Sequence, residues 1–310
     1  MTTGLWHRHS GLAYLAVFVG VLGHASSEFV SVLSGVAGPE LSVWRFLLGG
    51  AGLVILALII PGSRDLLTPL KTHGVRLVAL SILGVTFAYL FFHWSLDFAS
   101  VVQVATLVTT IPIFVGVSNL LINRAPMPMA KILSGFCALL GIALLITDGY
   151  LLQLAGSAEN LTGILMAITC AAAVAAYSVL VKPIITQYGA LRITAITMFI
   201  GAIGLWLVVG VFFGIWVAPQ RLTGLDQQAL TALAALAIFN TTITQFLWIG
   251  GLAAVPDITR GSYLFFLKPV IAALLAVSIL DQSLTLTQLI AIVVITASVF
   301  SEMLVGQMKK

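Results

Sequence analysis

ALSILGVTFAYLFFHWSLD, residues 79–97, and ALAIFNTTITQFLWIGGLA, residues 235–253, decide how this chain folds. Each is mostly apolar and close to the ~20 residues an α-helix needs to cross a bilayer. Aligned without a gap, they agree at five of nineteen positions: Ala79/Ala235, Leu80/Leu236, Ile82/Ile238, Thr86/Thr242 and Leu96/Leu252. One inserted residue further on, Pro112 meets Pro269. Apolar segments match easily by chance, so the span count must carry part of the argument for two similar halves.

Outward from these two stretches, ten apolar segments fill the chain. They lie at 11–33, 40–60, 74–96, 100–122, 129–147, 161–181, 190–214, 229–252, 258–280 and 285–305. Hydrophobic residues make up 60% and charged residues 8%, against ~25% charged in a soluble domain. Mean hydropathy is +1.15. If the third and fourth spans correspond to the eighth and ninth, each half has five spans. Five is odd, so the second half enters the membrane from the opposite side. The expected fold is all-α and polytopic, with ten transmembrane helices in two inverted five-helix repeats. The first repeat is 1–148 and the second 160–310. An outer linker, 149–159, joins them and carries Gly149, Gly156 and Ser157. Inverted repeats of this kind place a solute site near the midplane, where the halves meet.

Charge gives the orientation. With the N-terminus in the cytoplasm, the inner segments hold Arg8, Arg64, Lys71, Arg76, Arg124, Lys131, Lys182, Arg192, Arg260, Lys309 and Lys310. The outer segments hold Arg221 with Glu40, Asp97, Asp148, Glu159, Asp226 and Asp281. Eleven basic residues against one is a positive-inside bias, and it puts both termini in the cytoplasm of a cell membrane. The pI near 9.2 then needs no nucleic-acid partner. The first span follows Arg8 but runs past 20 residues with no clear small-residue cleavage site, so it is read as a retained helix. Cys137 and Cys170 both fall inside spans and read as small apolar packing residues. Gly49, Gly50, Gly52, Gly135, Gly141, Gly201 and Gly204 read as points of close helix approach. Trp6, Trp94 and Trp216 suit the interfacial belt.

Ionisable residues inside spans carry the functional information. Each costs about 2.5–3.5 kcal/mol at the bilayer centre on insertion scales, and persists when paired, wetted or useful. Lys268 lies near the middle of the ninth span, beside Pro269, which frees a carbonyl one turn earlier. Lys268 is therefore either satisfied by backbone or part of a solute pathway. Glu28 and Arg45 lie near the outer ends of the first two spans. They read as a structural ion pair or as a gate with a proton-responsive carboxylate. His24 is one turn deeper than Glu28, and His93 is in the outer third of the third span; both join the gate or proton-coupling candidates. No third ligand stands at a fitting spacing, so no metal and no cofactor is expected.

The eighth span carries a polar stripe. Asn240, Thr244 and Trp248 are four apart and share a face, with Thr241 and Gln245 on the adjoining strip. Such a stripe must face protein or water. Cavity lining is one reading and helix–helix hydrogen bonding the other. By the alignment, Phe92 matches Trp248 and Tyr89 matches Gln245. Tyr263 lies a little over one turn from Lys268. Gln103, Thr106 and Thr110 stand at helical spacing on the fourth span. Aromatic walls with a few polar groups suit a small amphipathic solute. The candidate solute-binding set is Lys268, Tyr263, Asn240, Thr244, Trp248, Gln245, Tyr89 and Phe92.

The order of features resembles the drug/metabolite transporter superfamily, in its EamA-type ten-helix branch. The residues that carry the resemblance are Ser26-Ser27-Glu28-Phe29-Val30, Trp44-Arg45-Phe46-Leu47 after Pro39, and Ile111-Pro112-Ile113-Phe114. Gly135 and Gly141 follow, then Ala176-Tyr177-Ser178-Val179, Leu267-Lys268-Pro269-Val270 and Leu284-Thr285. The chain departs from the family's pattern at Asn123-Arg124 and Asp281-Gln282, where a Gly-Glu pair is frequent, and around His24, where a Trp is common. The resemblance implies secondary transport, outward in direction, and little about the cargo.

Three functional classes compete. A membrane-embedded enzyme lacks a cysteine nucleophile with a base, paired aspartates or a His-rich cluster. A receptor or scaffold lacks loops long enough for an interaction surface. A channel is the closer rival, although no ring of charge is visible. No Gly-rich Lys-Ser/Thr loop supports ATP-driven transport. The expected activity is secondary transport of a small organic metabolite by alternating access. Lys268 favours an amino acid or related amphipathic carboxylate, and Glu28 leaves a cationic amine or drug-like solute open. Protons are candidate coupling ions, and the lipid bilayer is the other partner. Oligomeric state is left open.

Overall fold

The computed structural model describes residues 9–36, 38–95, 97–99, 101–148, 161–280 and 283–308. At Glu28, Phe29, Val32, Val101, Val102, Ala105, Ala276, Ile279, Leu280 and 302–308 it describes backbone alone. Trp6, Arg8, the linker with Gly149, Gly156 and Ser157, Glu159, Asp281, Gln282, Lys309, Lys310 and the Glu28 side chain lie outside the described residues.

The described residues are helical nearly throughout. The helices are α1 (Ser10–Leu33), α2 (Gly38–Ile59), α3 (Leu67–Ser95), α4 (Val101–Val108, then Ile111–Asn123) and α5 (Met129–Thr147). They continue with α6 (Leu161–Tyr188), α7 (Ala190–Phe213), α8 (Gln227–Ala254), α9 (Ile258–Leu280) and α10 (Leu286–Met308). Nine helices among the described residues are long and apolar enough to cross a membrane, and α10 is apolar over Leu286–Ser301. The protein is an all-α polytopic membrane protein.

Local sequence sets the helix ends. Pro128 precedes α5 in extended conformation, and Pro112 sits at the start of the second part of α4, where its missing N–H costs nothing. Asp226 caps α8 by accepting from the Ala229 amide at 2.7 Å. Gly189 alone separates α6 from α7, with φ +95°, a conformation that side chains strain against. Two helices overrun the expected spans. The third span, expected from 74, begins at Leu67, and the sixth, expected to end at 181, continues to Tyr188. Both extensions carry loop charges, Lys71 and Lys182 among them, so hydropathy stops where the helix does not.

Four helices are interrupted, and the interruptions come in matched pairs. A wider π-helical turn occupies Ile82–Phe87 in α3 and Ile238–Ile243 in α8. These are corresponding positions in the alignment of 79–97 with 235–253. Helix α4 breaks at Thr109–Thr110, just before Pro112. Helix α9 narrows to a 3-10 turn over Tyr263–Leu267, just before Pro269. Pro supplies no donor, so the turn before it need not be α-helical.

Packing follows the same pairing. Helix α2 lies on α7, and α5 lies on α10. Helix α1 packs on α8 and α9, as α6 packs on α3 and α4. Close approach is built into the sequence: a Cβ on Gly201 would fall inside the Val85 side chain and 2.8 Å from Ser81 O. A Cβ on Gly49 would fall inside the Thr241 side chain and 3.1 Å from Ala237 O.

Contacts at and near the helix ends join segments that charge counting assigns to one side. Arg221 Nε lies 3.0 Å from Glu40 Oε1. At the other end, Lys131 pairs with Asp257, Lys182 Nζ donates to Val255 O at 2.9 Å, Arg76 to Leu180 O at 3.0 Å and Arg192 to Gly62 O at 2.7 Å. Burial raises the Asp257 pKa. The hydrogen bond and charge of Lys131, with the amide and charge of Arg260, outweigh it and hold the carboxyl below its ordinary value.

Candidate functional site

A cavity of about 40 Å³ lies among the interrupted helices. Its walls come from α1 (His24, Ser27), α2 (Arg45), α3 (Tyr89, Phe92) and α4 (Val108, Ile111). They are completed by α6 (Cys170, Val174), α8 (Trp248) and α9 (Phe265, Lys268).

The lining residues are related in pairs. Phe92 matches Trp248 in the alignment, and both face the cavity. With the one-residue shift that superposes Pro112 on Pro269, Val108 matches Phe265 and Ile111 matches Lys268; all four face it. Tyr89 and Gln245 also correspond, and they touch: Gln245 Nε2 donates to Tyr89 OH at 2.7 Å. The cavity therefore sits where corresponding parts of the chain meet. Residues at the interruptions before Pro112 and Pro269 form two of its walls: Val108 and Ile111 border the break in α4, and Phe265 lies in the 3-10 turn of α9 with Lys268 just after it.

Charge is distributed unevenly between the matched positions. Lys268 stands where its counterpart is Ile111. Arg45 and Lys268 are 3% and 6% exposed and reach the cavity from different helices. The Arg45 guanidinium also holds α8, with Nε donating to Thr241 Oγ1 and a terminal nitrogen to Asn240 O, each at 3.2 Å. These bonds use the carbonyl and hydroxyl that the π-helical turn presents. Lys268 Nζ lies 5.9 Å from the centre of the Phe265 ring. His24 is held edge-on by Trp248 and Phe265, with ring centres 5.7 and 5.6 Å away. Its Nε2 is buried with no hydrogen-bond partner. An unmet buried polar atom costs about 1–3 kcal/mol.

Of the residues singled out from sequence, Lys268, Trp248, Tyr89, Phe92, Arg45 and His24 come together around this cavity. Gln245 stands one layer behind, on Tyr89 OH. Asn240 and Thr244 do not line the cavity; they face α1. Asn240 Nδ2 donates to Gly23 O at 2.7 Å and to Ser26 Oγ at 2.9 Å. Thr244 packs where a Cβ on Gly23 would clash with its hydroxyl. Spacing identified their shared face but not the neighbour it meets. Tyr263 turns away from the cavity, with its OH donating to Lys131 O at 2.5 Å. His93 lies behind the wall, its Nδ1 3.0 Å from Tyr89 O and against Ser42 Oγ. The expected partner of Arg45, Glu28, lies outside the described side chains.

Sequence reasoning missed Ser27, Val108, Ile111, Cys170, Val174 and Phe265. Ile111 and Phe265 had a usable signal, as neighbours of the matched prolines. The α6 pair had none, since Cys170 and Val174 look like any other apolar packing residues. Among the described residues, no group of three or more His, Cys, Asp or Glu is placed to hold a metal.

Comparison with known proteins assigns the fold and the class. The family model described as "EamA-like transporter family" matches residues 11–147 and, separately, 161–301. The chain is similar to the uncharacterized transporter YyaM of Bacillus subtilis (strain 168), at 24% identity over 279 residues, 86% of this chain and 87% of that one. It is similar to an uncharacterized transporter of Archaeoglobus fulgidus, at 24% identity over 277 residues, 89% and 91% of the two chains. An uncharacterized transporter of Clostridium kluyveri matches at 23% over 251 residues, 81% and 78%. One solved crystal structure shares the fold with a TM-score of 0.79 at 20% identity, covering 96% of this chain and 98% of its own. The chain belongs to the EamA-like transporter family.

Proposed function

We propose that this membrane transporter of small molecules exports a small amphipathic carboxylate, an amino acid or a related organic acid, by alternating access. In this reading ten helices cross the membrane as two inverted repeats, 1–148 and 160–310, with both termini in the cytoplasm.

One observation carries the substrate class: Arg45 and Lys268, on helices of different halves, line one aromatic-walled cavity at the place where Tyr89 meets Gln245. Two buried cations attract an anionic head group, and Phe92, Trp248 and Phe265 suit an apolar tail. Repeat architecture supports the transport mode. The family model matches the chain twice, α3 and α8 carry matched interruptions, and residues at the matched interruptions of α4 and α9 line the cavity. Polar groups at membrane depth need partners or water, and a cavity opening to one side at a time supplies both without a leak. Direction rests on the family resemblance, and the pairing of Glu28 with proton coupling remains part of the proposal.

Three solutes with one tail and different heads test it: L-leucine, 4-methylpentanoate and isoamylamine. Purified protein should be stabilised against thermal unfolding by one or both carboxylates and not by the amine. Reconstituted protein should exchange the labelled form of the solute that binds. Stabilisation by isoamylamine alone, or by none of the three, would overturn the carboxylate reading.

A further inference from the structure

Among the described residues lining the cavity, His24 alone has a buried side-chain polar atom without a hydrogen-bond partner. It is nine-tenths buried, it lines the central cavity, and its Nε2 has no hydrogen-bond partner. Among the cavity-lining residues, Tyr89 is engaged by Gln245 and Arg45 by Thr241 and Asn240; Asn240 Oδ1, which is also without a partner, does not line the cavity. Buried polar atoms in folded proteins are nearly always hydrogen-bonded, so one left without a protein partner and facing a cavity is placed to bond what the cavity holds.

The ring is also fixed in place. Trp248 meets it at 86° and Phe265 at 70°, both edge contacts, so it has little freedom to seek another partner. Nearby, α1 is anchored to α8 by the Asn240 bonds to Gly23 O and Ser26 Oγ. These bonds bracket His24 on its own helix, which gives Asn240 a positioning role distinct from solute contact. The Lys268 ammonium lies 5.9 Å from the centre of the same Phe265 ring. His24 and Lys268 thus both approach one aromatic ring, from α1 and α9, and both line the cavity.

We infer that His24 is a solute-binding residue, whose Nε2 completes its hydrogen bond on the same head group that Lys268 attracts in this cavity. A carboxylate has two oxygens and suits this arrangement: one faces the imidazole, the other the ammonium. The head group is then shared between α1 and α9. Occupancy would join the two halves through the solute. This inference rests on the carrier reading above and deepens it.

The test compares His24→Phe with His24→Gln in purified full-length protein, with thermal stabilisation by L-leucine, 4-methylpentanoate and isoamylamine as the readout. Phe keeps the edge contacts to Trp248 and Phe265 and removes the nitrogens. Gln places a polar group near the position of Nε2. His24→Phe should melt no lower than wild type without solute, yet bind the carboxylate at least tenfold more weakly. His24→Gln should recover most of the loss. Unchanged binding in His24→Phe would overturn the assignment and leave His24 an aromatic packing residue. If His24→Phe does not purify folded, His24→Met against His24→Gln decides the same question. The two levels separate cleanly. Wild type bound only by the amine, with that binding lost in His24→Phe, would sink the carboxylate reading and keep His24 as a solute ligand. Wild type bound by none of the three would sink both.

Discussion

Thr86 and Thr242 make the same hydrogen bond in opposite halves of the molecule: Thr86 Oγ1 donates to Gly201 O at 2.9 Å, and Thr242 Oγ1 donates to Gly49 O at 2.9 Å. Each threonine sits in a π-helical turn, and each acceptor is a glycine on the helix that packs against that turn. Val85 and Ser81 crowd Gly201 as Thr241 and Ala237 crowd Gly49, again at corresponding positions. Two independent crossings would not share this detail. It ties a sequence identity, Thr86/Thr242, to a geometry that brings α3 onto α7 and α8 onto α2.

That geometry predicts equal sensitivity at the two crossings. Gly201→Ala and Gly49→Ala should each destabilise by about 1–3 kcal/mol, the usual cost of overpacking. Thr86→Val and Thr242→Val should cost less, about 0.6 kcal/mol, as for hydrogen bonds between membrane helices. Thermal unfolding in detergent measures all four. A neutral alanine at either glycine would show that the crossing is looser than described.

Much of this fold was legible in the sequence, and the reason is physical. Lipid demands long apolar runs, so hydropathy finds the spans. The offset that aligns Thr86 with Thr242 also places the two π-helical turns, which hydropathy cannot see. The site was harder. Trp248, Lys268 and Tyr89 stood out because polar or aromatic groups at depth need a reason. Asn240 and Thr244 stood out for the same reason, yet they join α8 to α1. A helical face tells which residues act together and not whether their neighbour is water or another helix. Cys170 and Val174 were invisible, because an apolar cavity wall and an apolar helix contact have the same composition.

The pairing of Lys131 with Asp257 makes stability depend on pH. The Asp257 pKa is lower in the folded protein than in the unfolded chain. Its contribution is therefore complete above the unfolded-state pKa and is lost as pH falls through the folded-state value. Asp257→Asn should lower stability near neutral pH by about 1 kcal/mol, the upper range for partly exposed pairs, and should flatten the decline in acid. Thermal unfolding from neutral pH into the acid range checks this. An equally steep decline in the variant would assign the acid sensitivity to other groups.

Orientation is tested by labelling. In a background without Cys137 and Cys170, cysteines at Asp148 and Asp226 should react with an impermeant reagent added to intact cells. A cysteine at Arg64 should react only after the membrane is opened. Labelling of the Arg64 position from outside would reverse or refute the proposed topology.

Arg45 and Glu28 can be examined together. Arg45 holds Thr241 and Asn240 O, so Arg45→Gln should destabilise whatever Glu28 does. If Glu28 also pairs with it, the double variant Glu28→Gln, Arg45→Gln should lose clearly less than the sum of the singles. Additive losses would assign Arg45 to α8 alone, and leave Glu28 to another partner.

Counterflow in proteoliposomes tests the central claim most directly, with wild type and Lys268→Met compared on labelled L-leucine and 4-methylpentanoate. Methionine keeps the length of the lysine stem and removes its charge, and its thermal stability without solute checks folding. The account predicts saturable uptake in wild type, accelerated by unlabelled solute on the far side, and at least a tenfold loss in Lys268→Met with the folded protein intact. Flux that rises linearly without far-side acceleration, or that Lys268→Met leaves unchanged, would contradict a carrier that binds its solute at this cavity.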